Sequence, residues 1–158
     1  MPPDVSSAGH AGRVPRGSML LHPVVHLHLF NSCGELYLQK RPAWKDIQPG
    51  RWDTAVGGHV DWGEEPLAAL RREVREEVGV TDFEPQHVLT YLFESERERE
   101  LVYVYKTVYD GPVVPSGELD GGRFWTLREI RRRSGLRDLY PQFRSEIRRV
   151  AELPDVGR

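Results

Sequence analysis

The chain holds a single cysteine, Cys33, among 158 residues. An internal disulfide is therefore excluded, and one thiol suits a reducing cytoplasm better than an oxidising compartment. No apolar run reaches the length of a membrane span, and the first eighteen residues have no apolar centre of the kind a secretory signal needs. Charge of one sign is lacking too. With 22 basic against 24 acidic residues and a net charge of −2, no global field draws the chain to a nucleic acid polymer. No internal repeat and no second compositional block is visible. What is left is one cytoplasmic globular domain whose 39% hydrophobic content is enough to close a core, with a small molecule as the expected partner. Exposed tryptophans and strand edges would permit a homodimer.

Residues 1–18, MPPDVSSAGHAGRVPRGS, are rich in Gly, Pro and Ser and read as a flexible segment. Within it Val14-Pro15-Arg16-Gly17-Ser18 resembles a protease-cleavage linker of an expression vector, and a natural basic arm is equally compatible. The domain proper is expected over 19–153, with 154–158 as a tail. Leu21 to Phe30 and the alternating Glu35 to Arg41, joined by Asn31-Ser32-Cys33-Gly34, read as a hairpin. A loop follows to Asp53, then a short strand over Thr54 to Val56. Pro66 and Gly79 bracket a helix whose apolar stripe is Leu67, Leu70, Val74 and Val78. Val88 to Glu94 and Glu100 to Tyr109 form a second strand pair around the charged turn Ser95 to Arg99. A short strand at Arg123 to Thr126 precedes helices over Leu127 to Arg133 and Pro141 to Glu152.

The chemistry concentrates between Gly58 and Val80, GHVDWGEEPLAALRREVREEVGV. At about 100° per residue, Glu73, Glu76 and Glu77 share an arc of roughly 100° beside the apolar stripe. Like charges this close repel unless a cation or a basic group compensates. Hard divalent cations take oxygen ligands, and Mg²⁺ combines a few carboxylates with substrate phosphates. A solvated acidic face balanced by Arg72 and Arg75 would give the same letters. The preceding Gly57-Gly58 and the spacing of Glu64 favour the metal reading.

This stretch resembles the Nudix box, G-x5-E-x7-R-E-U-x-E-E-x-G-U with U aliphatic, and every fixed position is met. The resemblance implies an α/β/α sandwich with a mixed β-sheet and a loop-helix-loop catalytic motif. It implies Mg²⁺ or Mn²⁺ as cofactor and hydrolysis of a diphosphate linked to another group. By position, Glu73, Glu76 and Glu77 become metal ligands together with the Gly58 carbonyl. Arg72 orients the glutamates and pairs with Glu64, and Glu73 is the first candidate base. Because the base of this family also comes from later loops, Glu98, Glu100 and Glu118 remain candidates.

Outside the box the chain is similar to the isopentenyl-diphosphate isomerase branch, through Leu21-His22, Leu29-Phe30-Asn31, Arg41-x3-Lys45, Pro49-Gly50-x-Trp52 and Gly58-His59. That resemblance implies that Arg41 and Lys45 hold the diphosphate, by a fork and a point charge respectively. It also implies that His22, His59, Glu98 and Glu100 belong to the metal site. An ordinary hydrophilic turn would equally explain Glu98 and Glu100. The isomerases carry a cysteine between the Trp and the Gly-His; here Asp53 to Gly58 contains none, and Cys33 falls in a predicted turn. Carbon protonation lacks one acid–base partner, so hydrolysis of a nucleotide-type or other diphosphate is expected, with prenyl-diphosphate isomerisation as the alternative. His26 and His28 alternate on one strand face and read as core or rim residues. Trp44, Trp52 and Trp62 flank the loops around the box, and Trp125 reads as core.

Overall fold

A computed structural model describes residues 20–41, 51–116, 121–133 and 138–152. The N-terminal segment, Trp44, Lys45, Pro49-Gly50, Glu118 and the tail lie outside the described residues. The strands are β1 (Leu21–Phe30), β2 (Leu36–Lys40), β3 (Trp52–Thr54), β4 (Val56–His59), β5 (Gln86–Glu94), β6 (Arg99–Val108) and β7 (Gly122–Trp125). The helices are α1 (Pro66–Val78), α2 (Leu127–Arg133) and α3 (Pro141–Glu152). All seven strands join one mixed sheet with the path β3-β2-β1-β6-β5, β4 on β1 and β7 on β2.

β1 is the organising strand. It runs parallel to β6 from Leu21↔Arg99 to Phe30↔Val108, and its other edge takes β4 antiparallel from Val24↔His59 to Leu27↔Val56. Alternation along β1 divides the core. Val25, Leu27 and Leu29 pack with Leu70, Val74 and Val78 of α1, whereas Val24 joins Trp125, Ile130 of α2 and Phe143, Ile147 and Val150 of α3. Helices therefore cover both faces, the expected α/β/α sandwich. Trp125 is buried, as its position implied.

Three local expectations need correcting. The first hairpin closes at Asn31–Glu35 but its strands part at once, with Phe30↔Leu36 as the one register pair. β4 takes the edge of β1, and β2 pairs instead with β3 and β7. Local alternation cannot report which strand wins an edge, because the competing strands come from far along the chain. The stretch Thr54 to Val56 is two strands broken at Ala55. Leu67, placed on the apolar stripe, is 42% exposed, and the fully buried Ala69 stands in its place. Pro66 opens α1 and Gly79, at φ 70°, closes it by donating its N–H to the Arg75 carbonyl at 3.1 Å.

Candidate active site

The sequence builds this site by pressing one end of α1 against β4. Gly58 lies on the face of β4 turned to α1, and Glu73 fills the space beside it. A Cβ at Gly58 would overlap the Glu73 carboxyl carbon and stand 2.5 Å from its Oε2. Only glycine permits that approach. One helical turn on, half-buried Glu77 accepts the Gly57 N–H and, from Gln39 of β2, a hydrogen bond at 3.4 Å. Burial, and then the facing Glu73, push the Glu77 carboxyl up to about 8.

Arg72 ties the loop to the helix. Its Nε and Nη2 donate to the two Glu64 oxygens at 2.9 Å each, Nη1 donates to Glu73 Oε2 at 2.9 Å, and Nη2 reaches the His59 carbonyl at 3.0 Å. The forked bond from Arg72 holds Glu64 below the usual carboxylate range, and the same pairing raises Arg72 itself. A planar five-donor group can serve these four acceptor oxygens at once, and the three N–H groups of a lysine could not. The loop leading into α1 is closed by Glu64, which accepts the Asp61 N–H at 2.9 Å.

Among the described residues no three His, Cys, Asp or Glu side chains close into a metal cage. Glu73 and Glu77 converge, while Glu76 is more exposed, its Oε1 3.8 Å from Arg72 Nη1. An all-oxygen donor set with one open side fits a hard cation that keeps several of its waters. It does not fit a dehydrated structural site.

Among the described residues, His22, His59 and Glu100 fall on the opposite face of the sheet, with Val24. Arg41 Nη1 lies 3.3 Å from Asp53 Oδ2, with its guanidinium over the Tyr140 ring at 4.7 Å. His22 and Glu100 are register partners on β1 and β6. Burial, and then Glu98, raise the Glu100 carboxyl, against the pull of His26 and His59. Glu98 is exposed in the turn before β6, where its N–H meets Ser95 Oγ at 3.2 Å. His59 is exposed at the end of β4, Trp62 is 65% exposed, and Cys33 is an exposed free thiol in the turn after β1. Trp52 packs edge-on against Trp125 at 5.2 Å.

Four residues of this second face escaped the sequence reading. Glu146 of α3, 3% exposed, receives His26 Nδ1 at 2.6 Å, His28 Nε2 at 2.8 Å and the Tyr91 hydroxyl at 2.5 Å. Gln142 in turn donates to the Tyr91 hydroxyl at 2.9 Å. Burial works against a charge on His26, but the Glu146 carboxylate outweighs it and holds the imidazole up to about 9. Glu146 itself is carried far below the usual range by His26 and His28, in spite of its burial. Asp53 is raised by burial, partly offset by His26 and the Thr54 N–H. One signal was available. Glu146 stands on the same helical stripe as Phe143, Ile147 and Val150, and a carboxylate on a buried stripe requires a partner.

The NUDIX domain family matches residues 20–143. An uncharacterized Nudix hydrolase of Pseudomonas aeruginosa is 34% identical over 114 residues, 72% of this chain and 63% of that protein. The isopentenyl-diphosphate delta-isomerase of Serratia proteamaculans is 32% identical over 116 residues, 70% of this chain and 63% of that one. The chain thus spans about 63% of the length of these two curated relatives. The crystal structure of a Deinococcus radiodurans protein superposes with a TM-score of 0.70 at 26% identity, covering 81% of this chain and 82% of that one. A MutT protein from Methanosarcina mazei has a TM-score of 0.68 over 84% of this chain and 96% of its own, and at 24% identity it speaks for the fold alone. Together with the close approach of Glu73 to Gly58 and the Arg72–Glu64 fork, these matches establish that the chain belongs to the Nudix family.

Proposed function

We propose that this chain hydrolyses the diphosphate linkage of a small molecule with the help of a divalent cation, Mg²⁺ or Mn²⁺. The observation that carries the reading is the convergence of Glu73 and Glu77 on Gly57-Gly58, with the Glu73 carboxyl in space that only a glycine leaves open. Glu73, Glu76, Glu77 and the Gly58 carbonyl would hold the cation. When bound, it neutralises the charge that develops on the diphosphate oxygens.

The chain's own residues do the rest. Arg72 fixes the Glu73 carboxylate through a 2.9 Å bond, so a base at that position starts the reaction already oriented. The Glu73 carboxylate, held beside Gly58, is placed to accept the proton that an attacking water must lose. Arg41 supplies a forked cationic contact for phosphate oxygens, and Lys45 is proposed as a second. Glu98, Glu100 and Glu118 are kept as alternative bases. A lone exposed thiol is consistent with a cytoplasmic location.

The test is a panel of nucleotides, nucleotide sugars, dinucleoside polyphosphates and prenyl diphosphates, assayed with Mg²⁺ and Mn²⁺. Phosphate or monophosphate release that requires the metal and collapses in Glu76→Gln and Glu77→Gln supports the reading. Full activity in both variants contradicts it. The similarity to a named isomerase supports a second reading, isomerisation of a prenyl diphosphate. Against it stands Asp53 to Gly58, which offers no thiol. Formation of an allylic isomer from isopentenyl diphosphate would reverse that judgement.

A further inference from the structure

Gln39 of β2 is a buried amide flanked by strands on both edges, with Asp53 of β3 opposite it on one side and Gly122 of β7 on the other. Side chains along β2 alternate. Leu36 and Leu38 join the core of α2 and α3, while Tyr37 joins the core of α1. Gln39 is in step with Tyr37 and so faces α1. From there its Nε2 donates to the Ala55 carbonyl at 3.2 Å and to Glu77 Oε1 at 3.4 Å.

Both contacts fall on parts of the proposed cation site. Ala55 stands at the break between β3 and β4, two residues before Gly57, whose N–H reaches the Glu77 carboxyl. Glu77 is thus joined twice to one short stretch of backbone, directly through Gly57 and by way of Gln39 to Ala55. Its own backbone is fixed as well. The Glu77 carbonyl accepts the Ser116 N–H at 2.9 Å, and the Val78 carbonyl accepts the Val114 N–H at 3.0 Å. An apolar side chain at position 39 would fill the same space without stripping an amide of water. It would not hold a carboxyl.

The two converging glutamates have holders of different charge. Glu73 is held by the Arg72 guanidinium at 2.9 Å, and Glu77 by N–H donors that carry no charge. A second cationic side chain here would orient Glu77 equally well, but it would compete with a divalent ion for the same oxygens. A neutral amide sets the direction of the carboxyl and leaves its negative charge to the metal. We propose that Gln39 is a positioning residue, which aims the Glu77 carboxyl at the divalent cation by tying it to the β3–β4 break. The inference rests on the hydrolase reading above and adds to it a residue outside the Nudix box.

The test uses the full chain and two substitutions that remove the donor but keep the bulk, Gln39→Met and Gln39→Leu. Manganese binding without substrate is read from the paramagnetic resonance signal of free Mn²⁺. Steady-state kinetics on the best diphosphate of the panel are measured at saturating Mg²⁺. Groups that orient a metal ligand are typically worth about 10- to 100-fold in metal affinity or activity. In both variants the Mn²⁺ Kd should therefore rise about 10-fold and kcat should fall about 10-fold. KM for the diphosphate should stay within about twofold, since a residue that acts through Glu77 removes no substrate contact. A packing role alone would lower Tm and leave the Mn²⁺ Kd where it was.

If neither variant folds, the wild-type side chain still decides. The amide resonances of Gln39 should move when Mg²⁺ saturates the chain, and again in Glu77→Gln. Amide signals unmoved by both changes overturn the inference, as do variants that match wild type in Mn²⁺ affinity and kcat, or that lose only thermal stability. The two proposals fail in different ways. Metal-dependent cleavage carried unchanged into both variants sinks the positioning role alone. A wild-type chain that takes up no Mn²⁺ and cleaves no diphosphate sinks the hydrolase reading, and with it the cation that Gln39 would serve.

Discussion

Replacing Gly58 by alanine should disable the chain while leaving it folded. The added Cβ would fall on the Glu73 carboxyl, 2.5 Å from Oε2, where ordinary contact needs nearly 1 Å more. The strand is pinned from Val24↔His59 to Leu27↔Val56, so the flexible partner must move. Glu73 then swings away from Gly58 and loosens its 2.9 Å bond to Arg72. A displacement of about 1 Å at a reacting group typically costs about 100-fold in rate, near 2.7 kcal/mol of activation free energy. The effect on stability is smaller. Losing one charged hydrogen bond costs about 1.5–3 kcal/mol, and removing glycine from the unfolded chain offsets about 0.4–1 kcal/mol. The assay pairs steady-state hydrolysis of the best substrate with thermal unfolding. A kcat reduced about 100-fold, with Tm lowered by no more than several degrees, is the expected result. Activity within threefold of wild type would refute the reasoning, since Glu73 would then not need its place beside Gly58.

Further predictions follow from the other contacts. Arg72→Lys should keep the charge but lose the fork to Glu64, lowering stability by about 1–2 kcal/mol in urea titrations and kcat at least tenfold. His26 rises from 6.5 to about 9 in the fold, so its pairing contributes fully below 6.5 and fades as pH climbs through 9. Glu146 is held well below the carboxylate range, so its share persists above its unfolded value of about 4 and is lost only in stronger acid. Comparison of wild type with Glu146→Gln should therefore give a stability difference that is largest between about pH 4.5 and 6.5 and shrinks by roughly 2–3 kcal/mol by pH 10. Equal slopes in urea titrations across that range would contradict the ion pair. Bound at the proposed site, Mg²⁺ would offset the charge of Glu73 and Glu77, and at 100 times its Kd it should stabilise the chain by about 2.7 kcal/mol. EDTA should abolish that thermal shift, as should Glu77→Gln.

Helix α1 was legible because its signals are local. Pro66 and Gly79 bracket it as the sequence implied, and the Arg72–Glu64 contact, implied by the resemblance, lies within the same 23 residues. β5 and β6 were legible for a similar reason, since a short turn links them and their side chains alternate. The strands around β1 were not, because β4 and β6 reach it from separate parts of the sequence and compete for edges that no local pattern marks. The same limit hid the second face. His26 and His28 could be assigned to one side of a strand, but their partner Glu146 lies 120 and 118 residues away. Gln39, which reaches Glu77 from β2, carries no mark in the sequence either. Gly57-Gly58 pointed to the metal reading as a pair, yet only tertiary packing decides which side chain stands against each one.

The most direct measurement is anomalous diffraction from crystals of the full chain grown with Mn²⁺ at neutral pH. The account predicts a peak ligated by Glu73, Glu76 and Glu77 and by the Gly58 carbonyl, with Arg72 still paired to Glu64. Strong manganese density elsewhere, with the three carboxyls turned apart and no ion among them, would contradict it.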